Sequence, residues 1–357
     1  MASRTTLLTL ARALGVSRTT VSNAYSRPQK LSPELRERIL ATARELGYEG
    51  PSAVASSLRT GRTDAVGVLF TDDLGYAFSD PVSTLFLAGV AGEVQGAGYA
   101  LSVVSSPRGS GRCALSKAML DGLIVYSVDD DAPGLAIARA RGFPVVLVDQ
   151  GPEPGVAAVN VTDRDGAAAA VAHLAGLGHT ALAAVAVAAG PSSCGFVDAG
   201  ATSRNHVVRE RLAGWRSACV AAGISPPVTV SAPVNTREHG RHAARLLTAA
   251  RTRMTGIVCL SDELALGVIA ALTSQGIDVP GDVSVVGFDD SPLATLAPPN
   301  LSTVRQPVRA KGAAAARLLL SRLSGAAAGD PLVLPTELVI RDTTAVPPRS
   351  PARKRAR

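Results

Sequence analysis

Apolar positions near the start of the chain fall at helical spacing. Leu7, Leu10, Ala11 and Leu14 recur at i, i+3, i+4 and i+7, one stripe of an amphipathic helix. Thr5 or Thr6 stands where a cap is expected. Gly15 then supplies a tight turn, Val16 an apolar plug, and Ser17 the N-cap of a second helix over Arg18–Ser26. This second helix buries Val21 and turns Arg18, Thr19 and Asn23 outward. A third helix follows, capped by Ser32, with Pro33 first, Leu35, Ile39, Ala43 and Leu46 along one face, and Gly47 as its stop. Two short helices joined by a glycine turn make a helix-turn-helix, whose second helix enters the DNA major groove.

From Asp64 onward the pattern changes. Apolar runs (AVGVLF, ALSVV, GLIVYS, PVVLVD, AAVNV, ALAAVAVA, VTVSA, GIVCL, DVSVVGF) alternate with helical stretches around 83–96, 132–140, 165–177, 207–222, 236–249 and 262–274. Strands apolar on both faces between helices predict parallel sheets covered on both sides. The units outnumber one ordinary sheet, so two α/β lobes are expected, with the break near Asn160–Asp163. Open parallel sheets bind ligands beyond the carboxyl ends of their strands. That rule selects Thr71-Asp72-Asp73, Asp149, Ser261-Asp262 and Asp289-Asp290. Arg211, in the helical run RERLAGW, faces the same side. Carboxylates and amides pair with polyol hydroxyls, and an arginine adds a fixed fork of donors. Each residue could equally satisfy backbone N–H groups at a strand end or helix start, and Asp262 in SDELALGV reads that way. Phe78 and Trp215 are candidate pocket walls, Trp215 equally a core residue.

Composition and charge narrow the classes. The chain is 46% hydrophobic but only 3% aromatic, so Ala, Val and Leu must build the core, with alanine runs as helices packed closely on sheets. Residues 1–62 hold ten Lys and Arg against four acids, and residues 341–357 hold six against one. Of the net +7, the stretch 63–340 therefore carries −4. A basic head on a slightly acidic body is the footprint of a tethered DNA-binding domain. The first thirty residues, interrupted by Arg and Lys, contain no signal peptide, and no apolar run reaches membrane-spanning length. A soluble cytoplasmic protein is expected. The four cysteines form no C-x-x-C pair, His239 and His242 lack companion ligands, and Gly96-Ala97-Gly98 lacks the third glycine of a dinucleotide fingerprint. No metal, cofactor or catalysis is expected.

Three stretches carry a family resemblance: ALGVSRTTVSNAY with ELGY, PSAVASSLRTGRTDAVGVLF, and DVSVVGFDDSPLATLAPPNLSTVRQP with LVLPTELVIRDTT. Together they resemble the lactose-repressor/galactose-repressor family of bacterial transcription regulators over nearly the whole chain. The resemblance implies an all-α helix-turn-helix headpiece (1–49), a hinge helix (50–62) and an α/β body (63–345). That body would be two Rossmann-like parallel-sheet subdomains of the periplasmic-binding-protein-like type I, about 63–161 with 308–330 and 162–303 with 331–345. The chain would cross between them near 162, 303–308 and 330. The basic tail, 346–357, reads as disordered.

Residue by residue, the resemblance puts Arg18, Thr19 and Asn23 at base-reading positions and Thr6, Thr20, Ser22 and Ser26 at phosphates. Leu58, in the hinge segment Pro51–Arg59, would wedge into the minor groove of a palindromic operator bound by a homodimer. Thr71, Phe78, Asp149, Arg211, Ser261, Asp289 and Gln306 would contact a small effector, sugar or nucleoside/purine-like. Two departures stand out. Thr9-Leu10-Ala11 lacks the family's first-helix acid, and Glu49-Gly50 adds a residue before the hinge proline. Effector-responsive repressor is the leading reading. A solute-binding transport protein shares the two-lobed body but not the head, and a dehydrogenase or sugar-modifying enzyme lacks a supporting motif.

Overall fold

The computed structural model describes residues 5–348 apart from 49, 51–56, 58–60, 72–73, 107–112, 188–192, 251–253 and 297. It divides into a unit of residues 1–64 and one of residues 65–357. The hinge reading of Pro51–Arg59, with Leu58, and most of the basic tail fall outside the described residues.

The first unit is the expected bundle: α1 (Leu7–Leu14), α2 (Arg18–Ser26) and α3 (Pro33–Glu45). Thr6 caps α1 by accepting from the Thr9 amide, and the Thr6 and Thr9 hydroxyls are 3.0 Å apart. A neutral hydroxyl pair thus stands where the family carries an acid. Gly15 takes φ +65°, which a side chain would resist, and its N–H closes the helix on Ala11 and Arg12. Ser17 and Ser32 cap α2 and α3. Leu10, Ala11, Val21, Ala24, Ile39 and Ala43 form the buried centre. Tyr25 and Tyr48 meet edge to face at 5.9 Å.

The second unit holds two sheets. One has β1 (Ala65–Phe70), β2 (Ala100–Ser105), β3 (Gly122–Tyr126), β4 (Val145–Val148), β5 (Ala157–Val161) and β12 (Leu332–Leu334), in the order β12-β5-β4-β3-β1-β2. Its neighbours are all parallel. The other has β6 (Leu182–Val187), β7 (Gly195–Val197), β8 (Val228–Ala232), β9 (Gly256–Cys259), β10 (Ser284–Asp289), β11 (Ser302–Arg305) and β13 (Glu337–Val339). Their order is β13-β11-β10-β9-β6-β8-β7, with only the outermost pairs antiparallel. Helices α4 (Leu74–Ser79), α5 (Pro81–Gly96), α6 (Pro133–Arg141) and α11 (Val308–Leu323) belong to the first lobe. Helices α7 (Asp163–Gly176), α8 (His206–Ala221), α9 (Arg237–Ala249) and α10 (Asp262–Ser274) belong to the second.

The chain crosses between lobes after β5, between β11 and α11, and at Pro335–Thr336. The third crossing is later than the expected 330, because Leu332–Leu334 still pairs with β5. Thr162 and Thr336 bind these crossing strands side by side, hydroxyl to hydroxyl at 2.9 Å. The short α4, β7, β12 and β13 escape sequence reading: three to six residues show no resolvable period. His179 holds the final segment down, bonding Thr255 and the Ala345 carbonyl.

Few aromatics mean thin cores, and three helix pairs achieve this at glycines. A Cβ on Gly312 of α11 would sit 2.3 Å from the Phe86 carbonyl oxygen of α5, and one on Gly89 2.1 Å from that of Arg309. Gly214 of α8 and Gly240 and Gly267 of α9 and α10 meet neighbouring backbone in the same way. Gly312→Ala should therefore lower stability by about 1–3 kcal/mol in urea denaturation, although alanine is the better helix former. Gly92→Ala, on the same α5 but with open space around it, should be neutral or stabilising.

Candidate functional site

The exposed side of α2 is the candidate nucleic-acid surface. Val21 and Ala24 are buried, whereas Arg18 and Thr19 are exposed and Asn23 half-buried. A helix of period 3.6 that buries positions 21 and 24 leaves 18, 19 and 23 beside one another on the outer side. Thr20 shares a hydrogen bond with Ser17 and Ser26 donates to the Ser22 carbonyl. Their hydroxyls are oriented locally, like that of Thr6.

The second site follows from topology. In the first sheet the winding reverses between β1 and β3, and in the second between β6 and β9. Connections leave such a point in opposite directions and open a crevice at the strand ends. The two crevices face each other across a cleft of about 870 Å³, open mouth included. Phe70-Thr71, Tyr126-Ser127 and Asp149 come from the first sheet, Val187, Leu260-Ser261, Asp289 and Gln306 from the second. Ser127, Asp149 and Asp289 have φ of 47°, 56° and 119°. Positive φ at non-glycine residues is strained, and here it falls where strand ends turn into the cleft.

Charges are buried at the base. Arg211 donates to Asp163 at 2.8 Å and to the Leu260 carbonyl at 2.5 Å, lies 3.6 Å from Asp289, and stacks on Phe288 at 3.5 Å. Lys311, fully buried, donates to Asp149 at 2.5 Å and to Gln306 at 2.8 Å. Gln306 in turn donates to Asp289 at 2.6 Å. Hydrogen bonds thus run from β4 through α11 and the crossing segment to β10. Burial pushes the Asp289 carboxyl up to about 7, against the pull of Arg211 and Gln306. Burial raises Asp80 and Asp163 as well.

The rim joins the lobes. Asn205 donates to the Ser127 carbonyl at 3.0 Å, Arg209 to Asp130 at 2.6 Å, Arg204 pairs with Asp131, and Asn235 donates to the Tyr76 hydroxyl at 3.0 Å.

Of the residues predicted for this site, Thr71, Asp149, Arg211, Ser261, Asp289 and Gln306 all line the cleft. Phe78 does not: it is 61% exposed. Tyr76 faces the cleft instead, because helix positions two apart point to opposite sides. Trp215 is core. Asp262 is not the helix cap; Ser261 caps α10, and Asp262 accepts from the Ser291 amide and the Thr303 hydroxyl, tying β10 and β11 to the helix start. Sequence reading missed Asp80, Tyr126, Asn205, Asn235 and Lys311. Asp80 had a legible signal, an Asp-Pro pair opening a helix; Lys311 had none. Among the described residues no group of His, Cys, Asp or Glu is arranged to hold a metal ion, and no helix is long and apolar enough to cross a membrane.

Comparison with known proteins agrees with this geometry. Residues 6–50 match the model for bacterial regulatory proteins of the lacI family, and residues 171–344 that of a periplasmic binding protein-like domain. An HTH-type transcriptional regulator of Mycobacterium tuberculosis is 43% identical over 97% of this chain and 98% of its own. The structure of a lac repressor dimer bound to operator and the anti-inducer ONPF is 26% identical, with TM-score 0.78, over 96% of this chain and all of that one. A transcriptional regulator CelR–cellobiose complex is 28% identical, with TM-score 0.70, over 95% and 100%. The chain belongs to the lacI family of bacterial regulatory proteins. It is a transcription regulator with a DNA-binding helix-turn-helix and an effector-binding body, not an enzyme.

Removing Arg211 would leave Asp163 buried without its counter-ion. Breaking a buried pair from one side costs about 3–5 kcal/mol. Arg211→Ala should therefore melt markedly earlier than wild type in calorimetry. A melting temperature within a degree of wild type would mean that Asp163 finds another partner.

Proposed function

We propose that this regulator is a repressor that binds a pseudo-palindromic operator as a homodimer and is controlled by a small polar effector in the inter-lobe cleft. One observation carries the effector half: strand ends of both sheets bring Asp149, Arg211, Asp289 and Gln306 together at facing switch points. Ligands of α/β sheets bind at such points, and the related CelR has been solved with cellobiose. The DNA half rests on the exposed edge of α2 and on the dimeric lac repressor–operator complex among similar structures. Work on an operator would place the protein in the cytoplasm with the nucleoid. An effector can alter operator affinity only if the two ligands favour different arrangements of the lobes.

In this reading Arg18 pairs with a guanine, Asn23 with an adenine, and Thr19 touches a neighbouring base edge. Thr6, Thr20, Ser22 and Ser26 hold phosphates and set the register. Leu58, from the segment before the body, supplies the minor-groove wedge. The effector is a sugar or a nucleoside- or purine-like metabolite.

Arg18→Ala and Asn23→Ala should each weaken specific binding by about 1–3 kcal/mol and relax base preference at one half-site position. Equal losses on specific and random DNA would remove Arg18 from the base-reading set.

Footprinting of the full chain should show a symmetric, pseudo-palindromic site whose occupancy falls steeply with salt, since arginines displace phosphate counter-ions. A metabolite that raises the melting temperature should change that occupancy. An asymmetric footprint of a monomer would refute the dimer. Effectors that stabilise the protein without altering operator occupancy would refute control through the cleft.

A further inference from the structure

The cleft holds more acid than base, and its partner bonds are unevenly spent. Asp80, Asp149, Asp163, Asp262 and Asp289 are each at least nine-tenths buried, as are Arg211 and Lys311. Arg211 is committed to Asp163, Asp289 and the Leu260 carbonyl. Lys311 is committed to Asp149 and Gln306. Both oxygens of Asp262 are occupied by Ser291 and Thr303. Two cleft-lining oxygens remain without a hydrogen-bond partner among the described residues, Oδ1 of Asp80 and Oδ1 of Asp149. A buried carboxylate oxygen left unpaired is costly, so these two acceptors mark where a ligand supplies donors.

The helix starts around the cleft point the same way. An open helix N-terminus attracts anions. Here α5 is capped by Asp80, α8 by Asn205 and α10 by Ser261, each side chain accepting from the helix's own third amide. All three caps line the cleft. An entering phosphate would meet capped helices, neutralised cations and unpaired carboxylates.

We propose that the effector places hydrogen-bond donors, hydroxyls or a protonated amine, on Asp80 and Asp149, and that the cleft rejects ligands bearing a phosphate or carboxylate. Lys311 is the positioning residue for this choice. By holding Oδ2 of Asp149 it keeps that carboxyl ionised and turns Oδ1 to the ligand; the same ammonium fixes Gln306 with its amide on Asp289. The proposal rests on the reading of the cleft as the effector site and narrows it to one charge class.

The test is a thermal-shift and calorimetric panel on the full-length protein, each probe beside its anionic counterpart. Glucose and glucosamine are compared with glucose 6-phosphate, ribose with ribose 5-phosphate, adenosine with AMP, and cellobiose is added. Stabilisation confined to uncharged or ammonium members is expected. Asp80→Asn is the informative variant: its amide oxygen can still cap α5, while its NH₂ replaces the free oxygen. The unliganded melting temperature should hold, and affinity for the stabilising probe should fall at least tenfold. Unchanged affinity in Asp80→Asn overturns the proposal. A phosphate ester that binds as well as its parent, with binding altered in Asp289→Asn, also overturns it while leaving the cleft as the effector site. Probes indifferent to both Asp80→Asn and Asp289→Asn bind elsewhere and overturn the site reading too. A panel in which nothing binds sinks the donor proposal alone, since operator release still decides the site.

Discussion

Arg211 is a guanidinium held out of water, and the second lobe is organised around keeping it neutralised. Its partners come from three places: Asp163 at the start of α7, Asp289 at the end of β10, and the Leu260 carbonyl at the end of β9. The Phe288 ring covers its remaining face. An ion this buried is tolerable only when each of its donors finds an acceptor in good geometry. The first crossing segment, the central strands and α8 must therefore meet at one point. That point is the floor of the cleft, so the requirement that stabilises the lobe also shapes the binding surface.

Lys311 repeats the principle in the first lobe and extends it across the boundary. It satisfies Asp149 on one side and Gln306 on the other, and Gln306 reaches Asp289. Ligand contacts at Asp149 or Asp289 are thereby coupled to the segment that carries the chain between lobes. The rim adds weaker, solvated links such as Arg209 with Asp130. Exposed pairs of this kind contribute little individually. The base holds the lobes in register through dry, fully bonded groups, while the rim can exchange partners with water at small cost.

Around this polar centre the packing is unusually plain. With 3% aromatic residues, the helices cannot fill wide gaps, and glycine-to-backbone contacts bring α5 against α11, α8 against α7 and α9 against α10. Such close pairs hold helices at a fixed separation with little room to slide. Rigid lobes joined by three strands of chain suit a protein whose useful motion is between lobes rather than within them.

Much of this was legible in the residues. The period of Leu7, Leu10, Ala11 and Leu14, the caps Ser17 and Ser32, and the strand–helix alternation determined the elements, because propensity and capping act over a few neighbours. The strand-end rule located Thr71, Asp149, Ser261 and Asp289, since a parallel sheet always presents the ends of its strands. Partnerships were another matter. Asp149 meets Lys311 across 162 positions and Arg211 meets Asp163 across 48, and no local pattern distinguishes Lys311 from a solvated lysine on an alanine-rich helix. Phe78 and Tyr76 differ only in which way α4 is turned, and the neighbours it packs on decide that. The sequence by itself determined which segments are helices and strands and where a cleft must open. Only the tertiary structure decided which charges face each other in it, because burial and pairing depend on chain segments that folding alone brings together.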